Sequence, residues 1–257
     1  VANDQGARNN DWWRPENLIK IQGEMRDEQH GAQPDARTDF GSYRLLLDGA
    51  AADTSQIGIH NDVQPLAKVR SIARLLGHAD PRSILDAGCG AGFTTEALTA
   101  VYPQADVLGV DLAVDAIAYA ARTHRRARFL AAPISVDQPP LGSFDLIFCF
   151  EFYPFTRNTD ASTQASFIRY FVEQLQPDGA LVIYQTWKNM NSLASCFDAV
   201  RALTPELHYA KRPTPHARLA ARLPFRVAQM LSWTATMFAG RDWQKPIVIV
   251  TREARSS

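Results

Sequence analysis

The run Ile84-Leu85-Asp86-Ala87-Gly88-Cys89-Gly90-Ala91-Gly92-Phe93-Thr94 constrains this chain more than any other stretch. An apolar strand meets an acidic residue, passes through three glycines at alternate positions and opens into a helical pattern. Glycine lets the main chain turn tightly and lets a ligand come close to it, where a larger side chain would stand in the way. Amide N–H groups and a helix N-terminus in such a turn can face a bound polar group. The segment therefore predicts a strand–loop–helix unit that holds a nucleotide-type ligand.

The surrounding sequence supplies a sheet for that unit. Residues 65–76 read as a helix, with Leu66, Val69, Ile72, Ala73 and Leu76 on one face. Strands are expected over 83–86, 106–111, 127–131, 144–150 and 180–185, with helices over 93–101, 114–124 and 165–175 between them. The nearly unbroken apolar run 144–150 suits a strand covered on both faces. Pro177-Asp178-Gly179 reads as a turn. Such β–α alternation predicts a parallel, doubly wound α/β sheet. Past Trp187 the rhythm changes. A helix is expected over 192–203, a Pro-, His- and Arg-rich passage over 205–224, and a closing antiparallel hairpin from 225–238 and 245–251. Residues 1–64, with possible helix at 39–47, form an N-terminal extension expected to cap the pocket. Residues 65–257 form one domain, with a variable substrate-side insertion at about 188–224.

At 257 residues, 46% of them hydrophobic, the chain can bury a full core as one large domain. Lys plus Arg and Asp plus Glu are both 27, so the formal net charge is zero. That balance points away from nucleic acid and from anionic membranes as partners. No stretch reaches the roughly 20 apolar residues of a membrane span, and the first ten residues lack the plan of a signal peptide. The basic run Arg122, Arg125, Arg126 and Arg128 reads as the solvated end of a helix, with His124 facing solvent beside it. Cys89, Cys149 and Cys196 have no metal-type spacing and cannot all pair. Reduced thiols in a cytoplasmic protein, with no metal, are the simplest reading.

The glycine spacing narrows the ligand. A dinucleotide loop wants Gly-x-Gly-x-x-Gly, whereas here Gly88, Gly90 and Gly92 alternate and Asp86 stands directly before the turn. A carboxylate there repels a pyrophosphate and suits a ligand carrying an ammonium group and ribose hydroxyls. This pattern resembles motif I of the class I S-adenosylmethionine-dependent methyltransferases. Asp111, nineteen positions after Gly92 at the end of the second strand, matches the family's ribose-binding acid. Gly142-Ser143-Phe144-Asp145-Leu146-Ile147 is similar to the family's fourth strand, and Leu175-Gln176-Pro177-Asp178-Gly179-Ala180-Leu181 to its turn into the fifth. The resemblance covers about half the chain, roughly 68–186. It implies a Rossmann-like methyltransferase fold: a doubly wound, mostly parallel seven-stranded sheet closed by an antiparallel hairpin.

By this resemblance S-adenosyl-L-methionine is the cofactor and lies at the carboxyl ends of the strands. Asp86 faces the methionine end, with Ala87, Gly88, Cys89, Gly90 and Gly92 close to it. Asp111 and Leu112 take the ribose, although Asp111 also reads as a helix cap. Where the family carries an acidic pair for adenine, this chain has Ala132-Pro133-Ile134. Pro133 and Ile134 then offer apolar cover and one N–H, or Asp137 reaches the base.

The family places the methyl acceptor beside the end of the fourth strand, here Phe150-Glu151-Phe152-Tyr153-Pro154-Phe155. One carboxylate and one phenol among apolar residues describe the wall of a small-molecule pocket. Glu151 is a candidate base or orienting group and Tyr153 a hydrogen-bond donor, set against a reading of Glu151 as a surface carboxylate and Phe152 and Phe155 as core. His60 is a candidate base, or a loop histidine capping the next helix. His208 and His216 fall in the variable insertion. Trp12 and Trp13 are candidates to close over an acceptor or to anchor the N-terminus. The expected activity is methyl transfer to an oxygen or nitrogen of a small metabolite or natural product. A macromolecular acceptor (glycan, protein or tRNA) and a non-catalytic cofactor-binding protein on the same fold are the alternatives. The oligomeric state is left open.

Overall fold

A computed structural model describes residues 63–77, 80–156, 160–184, 207–239 and 245–252. The expected helices at 39–47 and 192–203, together with Trp12, Trp13, His60 and Cys196, lie outside these residues.

The chain enters through α1 (Val63–Leu76), then alternates β1 (Ser83–Ala87), α2 (Phe93–Val101), β2 (Asp106–Asp111), α3 (Val114–Thr123) and β3 (Arg128–Ala131). It continues through β4 (Phe144–Phe150), α4 (Tyr153–Thr156), α5 (Ala161–Val172) and β5 (Leu175–Tyr184). The last elements are β6 (Leu207–Thr214), α6 (Ala217–Ala220), α7 (Phe225–Ala239) and β7 (Lys245–Arg252). The seven strands form one sheet in the order β3-β2-β1-β4-β5-β7-β6. β1 to β5 run parallel, β7 is antiparallel to β5, and β6 is antiparallel to β7. Strand order reverses between β1 and β4, and open α/β sheets leave a crevice at the carboxyl ends of such a pair.

The apolar runs behave as their composition requires. Ile147, Phe148 and Cys149 in β4 are each fully buried. Alternate residues feed opposite faces: Leu85, Ile147 and Cys149 pack with Phe155 and Phe171, while Ile84, Leu146 and Phe148 pack with Val69, Ile72 and Leu98. α1 therefore covers one face through its predicted apolar stripe. No helix among the described residues is long and apolar enough to cross a membrane.

Three expectations are corrected. Residues 225–238 are not the first strand of the closing hairpin; Phe225–Ala239 is a helix, and β7 pairs instead with β6. The run is too long for an ordinary strand, and its Ala228 and Ser232, one turn apart, face inward. β6 lies within the passage assigned to the insertion. Its Pro213 is tolerated because the strand is at the sheet edge, opposite Pro246 and beyond the β5 pairing. The expected Pro177-Asp178-Gly179 turn is present as an excursion within β5, where residues 176–179 stand against Asp145 alone and Asp178 has φ 65°. His124 does not face solvent. It is buried, 5.3 Å from the Phe93 ring and near Tyr119 and Phe129, while Arg122, Arg125 and Arg126 are exposed as expected.

Asp145 ties the amino ends of β1 and β4 together. Its Oδ2 accepts from Arg82 N at 2.7 Å, Ser83 N at 2.9 Å and Ser83 Oγ at 3.0 Å, while Ser83 Oγ accepts from Asp145 N at 3.0 Å. Asp145→Ala strands these donors. Urea denaturation should show a loss of about 1–3 kcal/mol, with ligand binding at the opposite end of the strands preserved.

Candidate active site

Gly88, Gly90 and Gly92 all have positive φ, at 75°, 52° and 82°. They differ in what surrounds them. A Cβ at Gly88 would stand 2.9 Å from Phe152 Cδ2, and one at Gly92 would stand 2.8 Å from both Ala120 Cβ and Phe129 Cε1. At Gly90 nothing lies within 4 Å, so this residue faces open space. The first and last glycines thus serve close packing, and the middle one bares the main chain.

Four amides of the loop are taken up inside the protein. Gly88 N and Cys89 N both donate to Val110 O, at 2.8 and 3.1 Å, and Gly92 N donates to Cys89 O at 3.0 Å. Gly90 N donates to Asp111 Oδ2 at 2.8 Å. These bonds tie the start of the loop to the end of β2.

Asp86, at the end of β1, is fully buried. Its Oδ2 accepts from Thr95 Oγ1 at 2.7 Å, while Oδ1 has no partner among the described residues. Thr95 carried no signal in the sequence, because nothing in its type or spacing marks it as the acid's partner. Burial lifts the Asp86 carboxyl to about 7; the Thr95 hydrogen bond opposes this and the nearby Asp111 charge adds to it. Burial likewise pushes the Cys89 thiol well up, helped by Asp111 and Asp86. Cys89 is thus a packed hydrophobe, and a Cβ at Gly109 would sit 2.9 Å from its sulfur.

Asp111 combines the two roles read from the sequence only in part. Besides Gly90 N, it accepts from Ala113 N through Oδ1 at 2.9 Å, an Asx-type turn that starts α3. Leu112 follows it, partly exposed. After β3, Ala132 N donates to Asp111 O at 3.0 Å. Pro133 and Ile134 are half-buried beyond it, and Asp137 is exposed with its N–H on Ser135 Oγ at 3.4 Å.

The residues expected at the acceptor end lie where β4 and β5 finish. Phe150 stacks on Phe148 at 5.5 Å and contacts Tyr184 at 5.5 Å. Glu151 follows at φ 52°, a left-handed conformation that costs a residue with a Cβ, and its N–H donates to Tyr184 O at 2.9 Å. Phe152 is buried against Phe155, Phe167 and Phe171, so its expected core reading holds. Tyr153, half-buried, opens α4. Lys68 of α1 was missed: it looked like one more polar position on an amphipathic helix. Its Nζ lies 5.1 Å from the centre of the Tyr184 ring. Burial lowers the Lys68 ammonium and the Glu151 charge opposes that. His208 is exposed on β6, and His216 caps α6 with its N–H on Ser232 Oγ at 2.9 Å. Among the described residues no group of His, Cys, Asp and Glu is arranged to hold a metal ion.

The sheet order and the glycine loop at its switch point define a Rossmann-like fold. Residues 84–179 match a family model described as a methyltransferase domain. A trans-aconitate 2-methyltransferase of Rhodopseudomonas palustris (strain BisB18) is 33% identical over 104 residues, covering 40% of this chain and 38% of that protein. A malonyl-[acyl-carrier protein] O-methyltransferase of Legionella pneumophila subsp. pneumophila is 39% identical over 72 residues, covering 26% of this chain and 25% of that protein. The chain thus spans well under half of either relative. The plantazolicin methyltransferase BpumL in complex with SAH shares the fold, with a TM-score of 0.53 and 13% identity over 91% of this chain and 100% of that one. Over residues 84–179 the chain is thus similar in sequence to methyltransferase domains, and it shares its fold with a methyltransferase that binds SAH.

Asp86 gives a signed pH dependence. Its carboxyl is raised from its ordinary 3.8 to about 7, so the folded state holds the proton more tightly than the unfolded one. The resulting stability is present below about pH 4 and lost as pH rises through about 7. Asp86→Asn should therefore gain on the ligand-free wild type by a few kcal/mol, roughly, between those limits and stay level above them. Thermal unfolding across pH reads this out, and a gap that does not change with pH would refute the assignment.

Proposed function

We propose that this chain transfers a methyl group from S-adenosyl-L-methionine to a carboxylate oxygen of a small-molecule acceptor. The observation that carries the acceptor class is Lys68, a largely buried cation beside Tyr184 at the end of β5. A desolvated ammonium at a pocket wall favours an anion. The names of the two relatives, which refer to trans-aconitate and malonyl groups, both denote carboxylates.

The donor end fits the cofactor. The unpartnered Asp86 Oδ1 matches an ammonium, and open space at Gly90 leaves room for a ligand on the main chain. Asp111 and Leu112 would hold the ribose. Pro133 and Ile134 would cover the adenine, Cys89 and Gly92 would shape the loop from behind, and Phe150 would floor the site. S-adenosyl-L-methionine supplies a methyl group on a sulfonium. The protein's part is to align the acceptor oxygen with it and exclude water.

A carboxylate acceptor is already deprotonated at neutral pH, so no general base is required. Glu151 then orients Lys68 and the acceptor, and Tyr153 supplies a hydrogen bond. A second reading, in which Glu151 is the base for a hydroxyl or amine acceptor, is favoured by its strained backbone at the strand end. His60 stays a candidate contact, and residues 1–64 are proposed to cover the acceptor side, since α1 carries Lys68 there. Cytoplasmic placement rests on the two buried free thiols, Cys89 and Cys149.

Two measurements separate the possibilities. With a carboxylate acceptor, Lys68→Met should reduce kcat/KM by about tenfold to a hundredfold, mainly through KM, while Glu151→Gln keeps most of kcat. A collapse of kcat in Glu151→Gln with Lys68→Met unaffected would establish the base reading. Asp111→Ala should weaken S-adenosyl-L-methionine binding by at least about tenfold in calorimetry, through the lost ligand contact and a loosened loop. Wild-type affinity in that variant would remove Asp111 from the site.

A further inference from the structure

Helix α7 shows its large apolar residues to solvent. Ala228 and Ser232 are fully buried, while Met230, Trp233, Met237 and Phe238 are 56, 55, 65 and 89% exposed. A surface helix ordinarily does the reverse. Arg226, Met230, Trp233 and Met237 follow each other at spacings of four, three and four residues, one line along the helix. Charge is segregated as sharply. Between Leu207 and Ala239 stand Lys211, Arg212, Arg218, Arg222 and Arg226, with no Asp or Glu, in a chain of zero net charge. All four arginines are exposed. The even balance of the whole chain conceals this local excess.

The position of this face gives it meaning. β6 runs parallel to β1–β5, because β5 and β6 are each antiparallel to the β7 between them, so Thr214 ends at the carboxyl edge of the sheet. Just past that end, His216 N donates to Ser232 Oγ at 2.9 Å. The half of α7 that follows Ser232, with Trp233, Met237 and Phe238, therefore lies at the same edge as the glycine loop and Glu151.

We propose that α6 and α7 dock this protein on the surface of an anionic lipid bilayer. The arginines meet the headgroups, and Met230, Trp233, Met237 and Phe238 enter the acyl boundary. A second copy bound through the same face would set five cations against five. Side chains projecting this far need no shaped groove in a fluid layer, and an indole suits the headgroup level. Docking stands apart from the choice of acceptor. It would hold the carboxyl edge beside the membrane.

The test is co-sedimentation of the full chain with vesicles of phosphatidylcholine alone and of phosphatidylcholine with phosphatidylglycerol. Binding is expected only to the anionic vesicles and should weaken with salt. Joint substitution Trp233→Ser and Phe238→Ser should reduce it at least tenfold, and Arg218→Gln with Arg222→Gln by about fivefold per arginine. Unchanged S-adenosyl-L-methionine affinity in these variants shows that they are folded and that the site reading is separate. Absence of vesicle binding by the wild type overturns the proposal, as does equal binding by the variants. Concentration-dependent dimerisation abolished by the same substitutions overturns it too, assigning the face to a second copy.

Discussion

One carboxylate sets the geometry of two neighbouring strand ends. Asp111 leaves β2 and grips the Gly90 amide of the adjoining loop with one oxygen and the Ala113 amide with the other. The Val110 carbonyl beside it receives the Gly88 and Cys89 amides. The β2 end thus gathers the Gly88, Cys89 and Gly90 amides and fixes the course of the chain between β1 and α2.

Much of this was legible because the residues concerned act locally. Three alternate glycines after an apolar strand leave few conformations open, and the parallel strands followed from runs such as 144–150 that allow burial on both faces. Local rules failed where long-range packing decides. The apolar run 225–238 satisfies both strand and helix composition, and only its length and the inward Ala228 and Ser232 separate them. His124 looked solvated among arginines, yet a ring placed against Phe93, Tyr119 and Phe129 leaves the water while the guanidinium groups stay in it.

The site was read unevenly for the same reason. The donor loop is contiguous, so its acid and glycines announce themselves. Lys68 and Tyr184 meet Glu151 only because α1 crosses over the ends of β4 and β5, and no spacing records that. Thr95 is the same case at shorter range. Which loop amides are engaged inside the protein is not written in the loop itself. It depends on which neighbour competes for the donors, and for Gly90 that neighbour, Asp111, is 21 residues away in sequence.

The pairing of Thr214 with Lys245 has a consequence for how such a chain can change. Everything between those two residues leaves the sheet and returns to it at a single rung. For such an excursion, each doubling of length adds only about 0.6 kcal/mol of closure entropy. Segments there can be lengthened, shortened or exchanged with little disturbance to the register of β5, β7 and β6. The fold thus carries a point of attachment where new surface chemistry can be grafted, while the donor loop, four strands away along the same edge, stays as it is.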